Sequence, residues 1–321
     1  MKIAVVGLGG VGGYFGGKLA GKYADSPEHT VIFIARGEHL AAIRREGLLL
    51  KAVEGVCRVI PDLATDHPAE AGSCDLVLFS VKEYDLEAAA AGLDPLLHAN
   101  TVILPVLNGV DIAARLRSIV PRGSVLSGCV YISSFIEAPG VVRQVGGTCQ
   151  LVFGPDEGRA DTYQPLETLL KQAGIKAELS ADIAVPLWSK YLFVSPMAGV
   201  TSLMGLCFGD VMADEKGRAM VHGLMAEIAH LAGAKGVALP AGSMESAIAR
   251  IEHFPPETKS SMQLDYERGG KTELELFIGF AVRAGHSLGV PMPLHEELYA
   301  ALTGMITNNP LPVTDPSRGS F

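Results

Sequence analysis

Charge is scarce in this chain. Asp, Glu, Lys and Arg make up 19% of its 321 residues, and acids outnumber bases to leave a net charge of −9. No basic run is present, and no basic stripe interleaved with aromatics, which argues against nucleic acid as a partner. Aromatics reach only 6%, and tryptophan occurs once, at Trp188. The five cysteines (Cys57, Cys74, Cys129, Cys149 and Cys207) are odd in number and never spaced CxxC. They outline no disulfide framework and read as reduced, mostly buried thiols of a cytoplasmic protein. The apolar N-terminus feeds a glycine turn and is no secretory h-region. The apolar run 191–208 is interrupted by Pro196, Gly199, Thr201, Ser202 and Gly205. It reads as a buried helix and turn, so no membrane partner is expected. No metal is expected either. HExxH is absent, and His222 and His230 share a predicted helix with nothing nearby to complete a shell. His39, His98, His253 and His295 have no triad-like partners in sequence and read as surface or satisfied residues. There is no internal repeat and no low-complexity tract.

What the chain does have is apolar mass, 48% of it, enough for two domains of ordinary size. Its N-terminus carries the most specific pattern. The strand-like Lys2-Ile3-Ala4-Val5-Val6 runs directly into Gly7-Leu8-Gly9-Gly10-Val11-Gly12, which opens a helix of small residues. In this dinucleotide-binding fingerprint, Gly7 permits the tight turn and Gly9 lets the backbone approach a pyrophosphate. Gly12 lets helix and strand pack closely, and the unpaired N–H groups of the helix start face the phosphates.

A second β-branched run, residues 29–35, ends at Arg36-Gly37. A site for NAD usually places an acid at this strand end, to bind the ribose hydroxyls. A 2′-phosphate is repelled by a carboxylate and accommodated by an Arg. Arg36 therefore reads as a choice of NADPH over NADH, against the plainer reading of a solvated surface Arg.

Apolar runs at 76–81, 101–107 and 124–130 alternate with helical stretches at 85–98 and 111–120. This βαβ series predicts an α/β, Rossmann-like, doubly wound parallel sheet. Residues 151–154 are expected as a late edge strand of the same domain. Two polar tips, Ser80-Val81-Lys82 and Asn108-Gly109, fall at strand carboxyl ends, where such sheets bind ligands. Past about residue 181 the spacing turns helical. Met220, Leu224, Ile228 and Leu231 form one stripe closed by Gly236, and Leu274, Phe277, Ile278 and Ala281 form another closed by Gly289 and Pro291. The expected organisation is a nucleotide-binding domain over 1–181 and an all-helical domain over 182–321. The Pro-, Ser- and Gly-rich tail from Asn309 is expected to fray.

A carbonyl that accepts hydride becomes an alkoxide, and something must protonate or neutralise it. Candidates are sought in the cleft expected between the sheet and the helical domain. Lys190, just inside the first apolar helix there, needs either a snorkelling exit or a site to point into. Glu273 stands at the start of a periodic helix, where the dipole favours an acid, so local sequence accounts for it without a function.

Together these pieces resemble the ketopantoate reductases (2-dehydropantoate 2-reductases) over nearly the whole length. The matching elements are Gly7-x-Gly9-x-x-Gly12, Arg36, Ser80-Val81-Lys82, Asn108-Gly109, Trp188-x-Lys190, and Ser260-Ser261-Met262-x-x-Asp265-x-x-x-Gly269-x-x-Thr272-Glu273. The resemblance implies reduction of a branched 2-oxo acid by NADPH on the way to pantothenate and coenzyme A. It further implies Lys190 as catalytic lysine, Glu273 as the acid facing the active site and Ser261 as a substrate contact. Lys82 and Asn108 would line the cofactor side, and Asn108 would also touch substrate. The chain departs from the family at three places. Val194 and Ala198 stand where many members carry Asn, and Leu107 where Gln is often found before Asn-Gly. Loss of two amides removes partners for a substrate hydroxyl, so a more apolar 2-oxo acid is the alternative substrate. A 3-hydroxyacid dehydrogenase and a non-enzymatic NADPH sensor are the rival readings. A homodimer is compatible with the sequence, which carries no signal fixing the oligomeric state.

Overall fold

A computed structural model describes residues 1–308, with side chains through 306; the tail from Asn309 lies outside the described residues. The chain divides into two compact units, Met1–Ile183 and the part from Ala184 onward. In the first unit the order is β1 (Lys2–Val6), α1 (Gly10–Lys22), β2 (Thr30–Ile34), α2 (Gly37–Glu46), β3 (Leu48–Ala52), β4 (Gly55–Val59), β5 (Leu63–Thr65), α3 (Pro68–Ala71) and β6 (Leu76–Phe79). There follow α4 (Leu86–Ala91), β7 (Val102–Pro105), α5 (Ile112–Ile119), β8 (Ser124–Val125), β9 (Ser127–Ala138), β10 (Val141–Gly154), α6 (Gln164–Gln172) and β11 (Lys176–Leu179).

The first sheet is parallel throughout, in the order β5-β2-β1-β6-β7-β8. The residues of β6 are buried on both faces, as the continuous apolar run requires. The chain winds outward from β1 through β2 to β5, then returns to β6 on the other side of β1. The carboxyl ends of β1 and β6 therefore flank the switch point, where doubly wound sheets bind their ligands.

Three expectations about this unit are corrected. The apolar run 124–130 is two strands, because the chain leaves the first sheet after Val125 and enters a second one at Ser127. Gly128 makes the crossing possible, since a Cβ there would lie 2.2 Å from the Pro105 carbonyl oxygen. Residues 151–154 are a late strand of this unit as expected, but not an edge strand. They end β10, an inner strand of the second sheet, which runs β11-β10-β3-β4 with β9 also paired to β10. The helix expected over 85–98 stops at Ala91, where Gly92 and Pro95 break the pattern, and only a 3-10 turn at Asp94–Leu96 follows.

Helix α1 packs against both sheets, and its glycines make that possible. Added Cβ atoms would meet the Gly7 carbonyl from Gly12 (1.9 Å) on the side of the first sheet. On the side of the second they would meet the Ser134 carbonyl from Gly10 (2.1 Å) and the Val142 side chain from Gly13 (2.5 Å). The small-residue character of this helix is thus a packing device beyond the nucleotide fingerprint.

The second unit is helical over its described residues, with α7 (Ala184–Met204), α8 (Phe208–Ala213), α9 (Glu215–Ala234), α10 (Ser243–Glu252), α11 (Ser261–Glu267), α12 (Phe280–Leu288) and α13 (Pro293–Asn308). Helix α7 is apolar nearly all round and sits at the centre, packed by α8, α9, α10, α11 and α13. The two expected stripes face the core: on α9 Leu224, Ile228 and Leu231 are buried and Met220 is half-buried, and Leu274, Phe277, Ile278 and Ala281 are buried ahead of and within α12. The run 191–208 is the expected buried helix and turn, ended by Gly205 at φ 67°. The start of the second stripe differs from expectation. Thr272 and Glu273 precede the helix, which opens at Leu274 with a π-helical turn, Glu275–Gly279. No described helix is long and apolar enough to cross a membrane.

Candidate active site

In the first unit the expected cofactor residues gather on adjacent strand ends. Gly7 follows β1 with φ 87°, a conformation natural only to glycine. Its N–H donates to the Ile34 carbonyl at the end of β2 (3.0 Å), and its carbonyl accepts from Ser80 Oγ at the end of β6 (2.5 Å). The turn is thereby pinned from both neighbours. The Gly9 carbonyl accepts from Gly13 N (2.7 Å), which starts α1. A Cβ on Gly9 would meet nothing within 4 Å, so the space above the helix start is open, whereas Gly10 and Gly12 are closed in by protein. With the first N–H groups of α1 lacking helical acceptors, Gly7 to Gly12 fit a pyrophosphate.

Arg36 ends β2 and precedes α2, its side chain 77% exposed and its Nη2 3.3 Å from Asp85 Oδ2. A contact this long and exposed is weak and does not tie up the five guanidinium donors. Asp85 belongs to the short 3-10 turn Glu83–Asp85, which Lys82 precedes. Lys82 is half-buried, as is Asn108 in the loop after β7. Because β6 and β7 pair with Phe79 opposite Pro105, these two side chains start from neighbouring positions of the same edge. His39, which had no partner in sequence, accepts a hydrogen bond at Nδ1 from Gly140 N (3.0 Å), and burial lowers its pKa.

In the second unit Lys190 lies in the second turn of α7, half-buried beside the buried Trp188 and Tyr191. One and two turns further on come the half-buried Val194 and the buried Ala198, so the helix offers no amide on that stripe. Glu273 is 4% exposed, an unusual place for a carboxylate. Ser261 is exposed at the first position of α11. Its neighbour Ser260 caps that helix, accepting from Gln263 N (3.1 Å), and stands 2.8 Å from Thr201 Oγ1 of α7. The helix bearing Ser261 and the π-helical turn that begins two residues after Glu273 both pack on the helix bearing Lys190.

The cross-helix hydroxyls of Tyr191, Ser195 and Thr201 were not read as site features. Their only signal in sequence is polarity inside an apolar helix. No group of three or more His, Cys, Asp or Glu among the described residues is disposed to hold a metal. No cysteine is in a disulfide among the described residues; Cys74, Cys129 and Cys149 are buried and Cys57 is exposed.

Known proteins match along the whole of this arrangement. The family model described as "Ketopantoate reductase PanE/ApbA" matches residues 3–158, and its C-terminal counterpart matches residues 182–305. The chain belongs to the ketopantoate reductase family. An uncharacterized oxidoreductase, YkpB, of Bacillus subtilis is 32% identical over 305 residues, covering 94% of this chain and 98% of that one. The 2-dehydropantoate 2-reductase of Mesorhizobium japonicum is 28% identical, covering 94% and 96%. A PanE/ApbA family ketopantoate reductase from Ralstonia eutropha superposes with a TM-score of 0.86 at 32% identity, covering 96% and 99%. Family membership makes the chain an NADPH-dependent oxidoreductase acting on a 2-oxo acid.

Proposed function

We propose that the chain reduces 2-dehydropantoate (ketopantoate) to pantoate, with Lys190 and Glu273 as its catalytic groups. The observation that carries the reading is the placement of Glu273, 4% exposed, directly ahead of the π-helical turn that packs against the helix of Lys190. A buried carboxylate is costly unless it is paired or put to use. The turn Gly7-Leu8-Gly9-Gly10-Val11-Gly12 would hold the pyrophosphate of NADPH and Arg36 its 2′-phosphate, with Lys82 and Asn108 along its length. When bound, it supplies the hydride that reduces the carbonyl carbon.

The remaining work falls to side chains. The Lys190 ammonium donates a hydrogen bond to the carbonyl oxygen, stabilises the negative charge that grows there, and gives up its proton to make the alcohol. Glu273 accepts a hydrogen bond from the substrate hydroxyl or orients Lys190. Ser261 donates to the substrate carboxylate. One C–H and one O–H form on the substrate as its carbonyl π bond is lost. The hydride comes from the C–H bond of the reduced cofactor and the proton from a Lys190 N–H bond, which re-forms with a proton from water.

Val194 and Ala198 favour a second substrate, a 2-oxo acid with an apolar tail, because no amide on that stripe of α7 pairs a distal hydroxyl. Initial rates of NADPH oxidation with ketopantoate and with its analogue lacking the terminal hydroxyl decide between the two. Higher kcat/KM for ketopantoate is expected. Higher kcat/KM for the hydroxyl-free acid moves the assignment to the second substrate, and no oxidation with any 2-oxo acid removes both.

A further inference from the structure

Resting on the reading of Lys190 and Glu273 given above, the structure points to the parts that hold one against the other. Glu273 stands just before the π-helical turn Glu275–Gly279, in which the N–H of Phe280 bonds the Glu275 carbonyl five residues back. Such wide turns rarely occur without a local cause and concentrate at functional sites. Here the Phe277 carbonyl accepts two hydroxyls from α7 at once, Ser195 Oγ at 2.8 Å and Tyr191 OH. The N–H of the same residue donates to the Glu273 carbonyl (3.1 Å). A short chain of bonds therefore runs from α7 through one residue, Phe277, to the backbone of Glu273. At its α7 end Tyr191 directly follows Lys190, and Ser195 lies one turn beyond Tyr191 on the same face.

Ordinary satisfaction of buried hydroxyls does not account for this arrangement. A buried helical Ser or Thr commonly bonds a carbonyl of its own helix. On α7 itself Ser202 bonds the Ala198 carbonyl (2.7 Å) and Thr201 the Met197 carbonyl (2.6 Å). Ser195 and Tyr191 instead both reach a carbonyl of another element. The Tyr191 ring is fixed independently, edge-on to Trp188 (centroids 5.8 Å apart) and to Phe280 (5.8 Å). Its hydroxyl is thus separable from its packing.

We infer that Tyr191 and Ser195 are positioning residues, whose shared hold on the Phe277 carbonyl sets the register between Lys190 and Glu273. While one hydroxyl remains, the carbonyl keeps a partner and the register survives. With both gone, the two groups drift relative to each other, and a displacement of about 1 Å costs up to about 100-fold in rate.

The test compares Tyr191→Phe, Ser195→Ala, the double variant and Lys190→Ala, with rates normalised to NADPH-binding sites titrated in each preparation. The single variants are expected to keep kcat within about threefold, and the double variant to lose much more than the product of the single losses, about 20-fold or more. The KM for NADPH stays within about twofold throughout, since no part of the glycine turn is altered. A purely structural role would lower thermal stability but leave kcat per titrated site unchanged. A double variant within about twofold of the parent, or one whose loss is no more than the product of the single losses, overturns the inference while the reading of Lys190 stands. Undiminished turnover in Lys190→Ala overturns that reading and the inference together.

Discussion

The two units solve the placement of functional groups by opposite means. In the sheet unit the expected phosphate contacts are backbone N–H groups, aimed by a turn of consecutive residues and pinned by Ile34 and Ser80. In the helical unit the proposed groups are side chains, Lys190 and Glu273, far apart in sequence, and the turn that follows Glu273 is tied to α7 by two hydroxyls. A backbone site is written locally and tolerates almost any side chain outside its glycines. A side-chain site depends on long-range docking, and its second layer matters as much as its first.

The sharpest way to probe the backbone site is to separate the two duties of its glycines. A Cβ at position 12 would fall 1.9 Å from the Gly7 carbonyl oxygen and 2.1 Å from Ser80 Oγ, whereas one at position 9 would touch nothing. Gly12→Ala is expected to destabilise the sheet unit by about 3 kcal/mol and to abolish NADPH binding with it. Gly9→Ala is expected to melt with the parent yet to bind NADPH about tenfold more weakly or worse, because the added methyl enters the space left for the pyrophosphate. Calorimetry and fluorescence titration on the two variants check this. If Gly9→Ala binds NADPH like the parent, the open space above α1 is not the phosphate site.

The same contrast explains what the sequence disclosed. The turn at Gly7, Arg36 after β2 and the polar tips at Ser80 and Asn108 were legible because each follows from a few neighbouring residues. The division of 124–130 between two sheets was not, because the contact of Gly128 with Pro105 decides it, and no periodicity encodes that contact. Likewise the apolar spacing showed that residues 151–154 form a strand but not which sheet receives it. In the helical unit the stripes at Leu224, Ile228 and Leu231 and at Leu274, Phe277, Ile278 and Ala281 were readable from spacing alone. The π-helical turn was hidden, since the hydroxyls that engage it come from more than eighty residues away.

Arg36 is the one side chain on which the sheet unit's cofactor choice is proposed to rest. Replacing it by Asp removes the guanidinium and places a second carboxylate near Asp85, 3.3 Å from the present Arg36 Nη2. The KM for NADPH is expected to rise about 10- to 100-fold while that for NADH changes little, since charge-assisted bonds to phosphate contribute roughly 1.5–3 kcal/mol. Steady-state kinetics with both cofactors measure the ratio. Equal losses for the two would return Arg36 to the status of a solvated surface residue.

The smallest expected effect concerns pH, and it separates the units by their chemistry rather than by their ligands. Glu227 on α9 accepts from the N–H groups of Leu294 (2.8 Å) and His295 (3.1 Å) at the start of α13, and pairs with His295 Nδ1 at 2.6 Å. Burial alone would raise its pKa. The bond to His295 and the two backbone donors outweigh burial and hold the carboxyl below its usual range. A depressed carboxylate stabilises the fold fully above the ordinary value near 4.3, and that contribution is lost as pH falls through the folded value. Glu227→Gln is therefore expected to cost about 2 kcal/mol at neutral pH and to flatten the acid limb of the helical unit's stability. Trp188, the chain's single tryptophan, lies in α7, so its emission reports that unit without interference. An acid limb of unchanged steepness in the variant would mean that some other group carries the pH dependence.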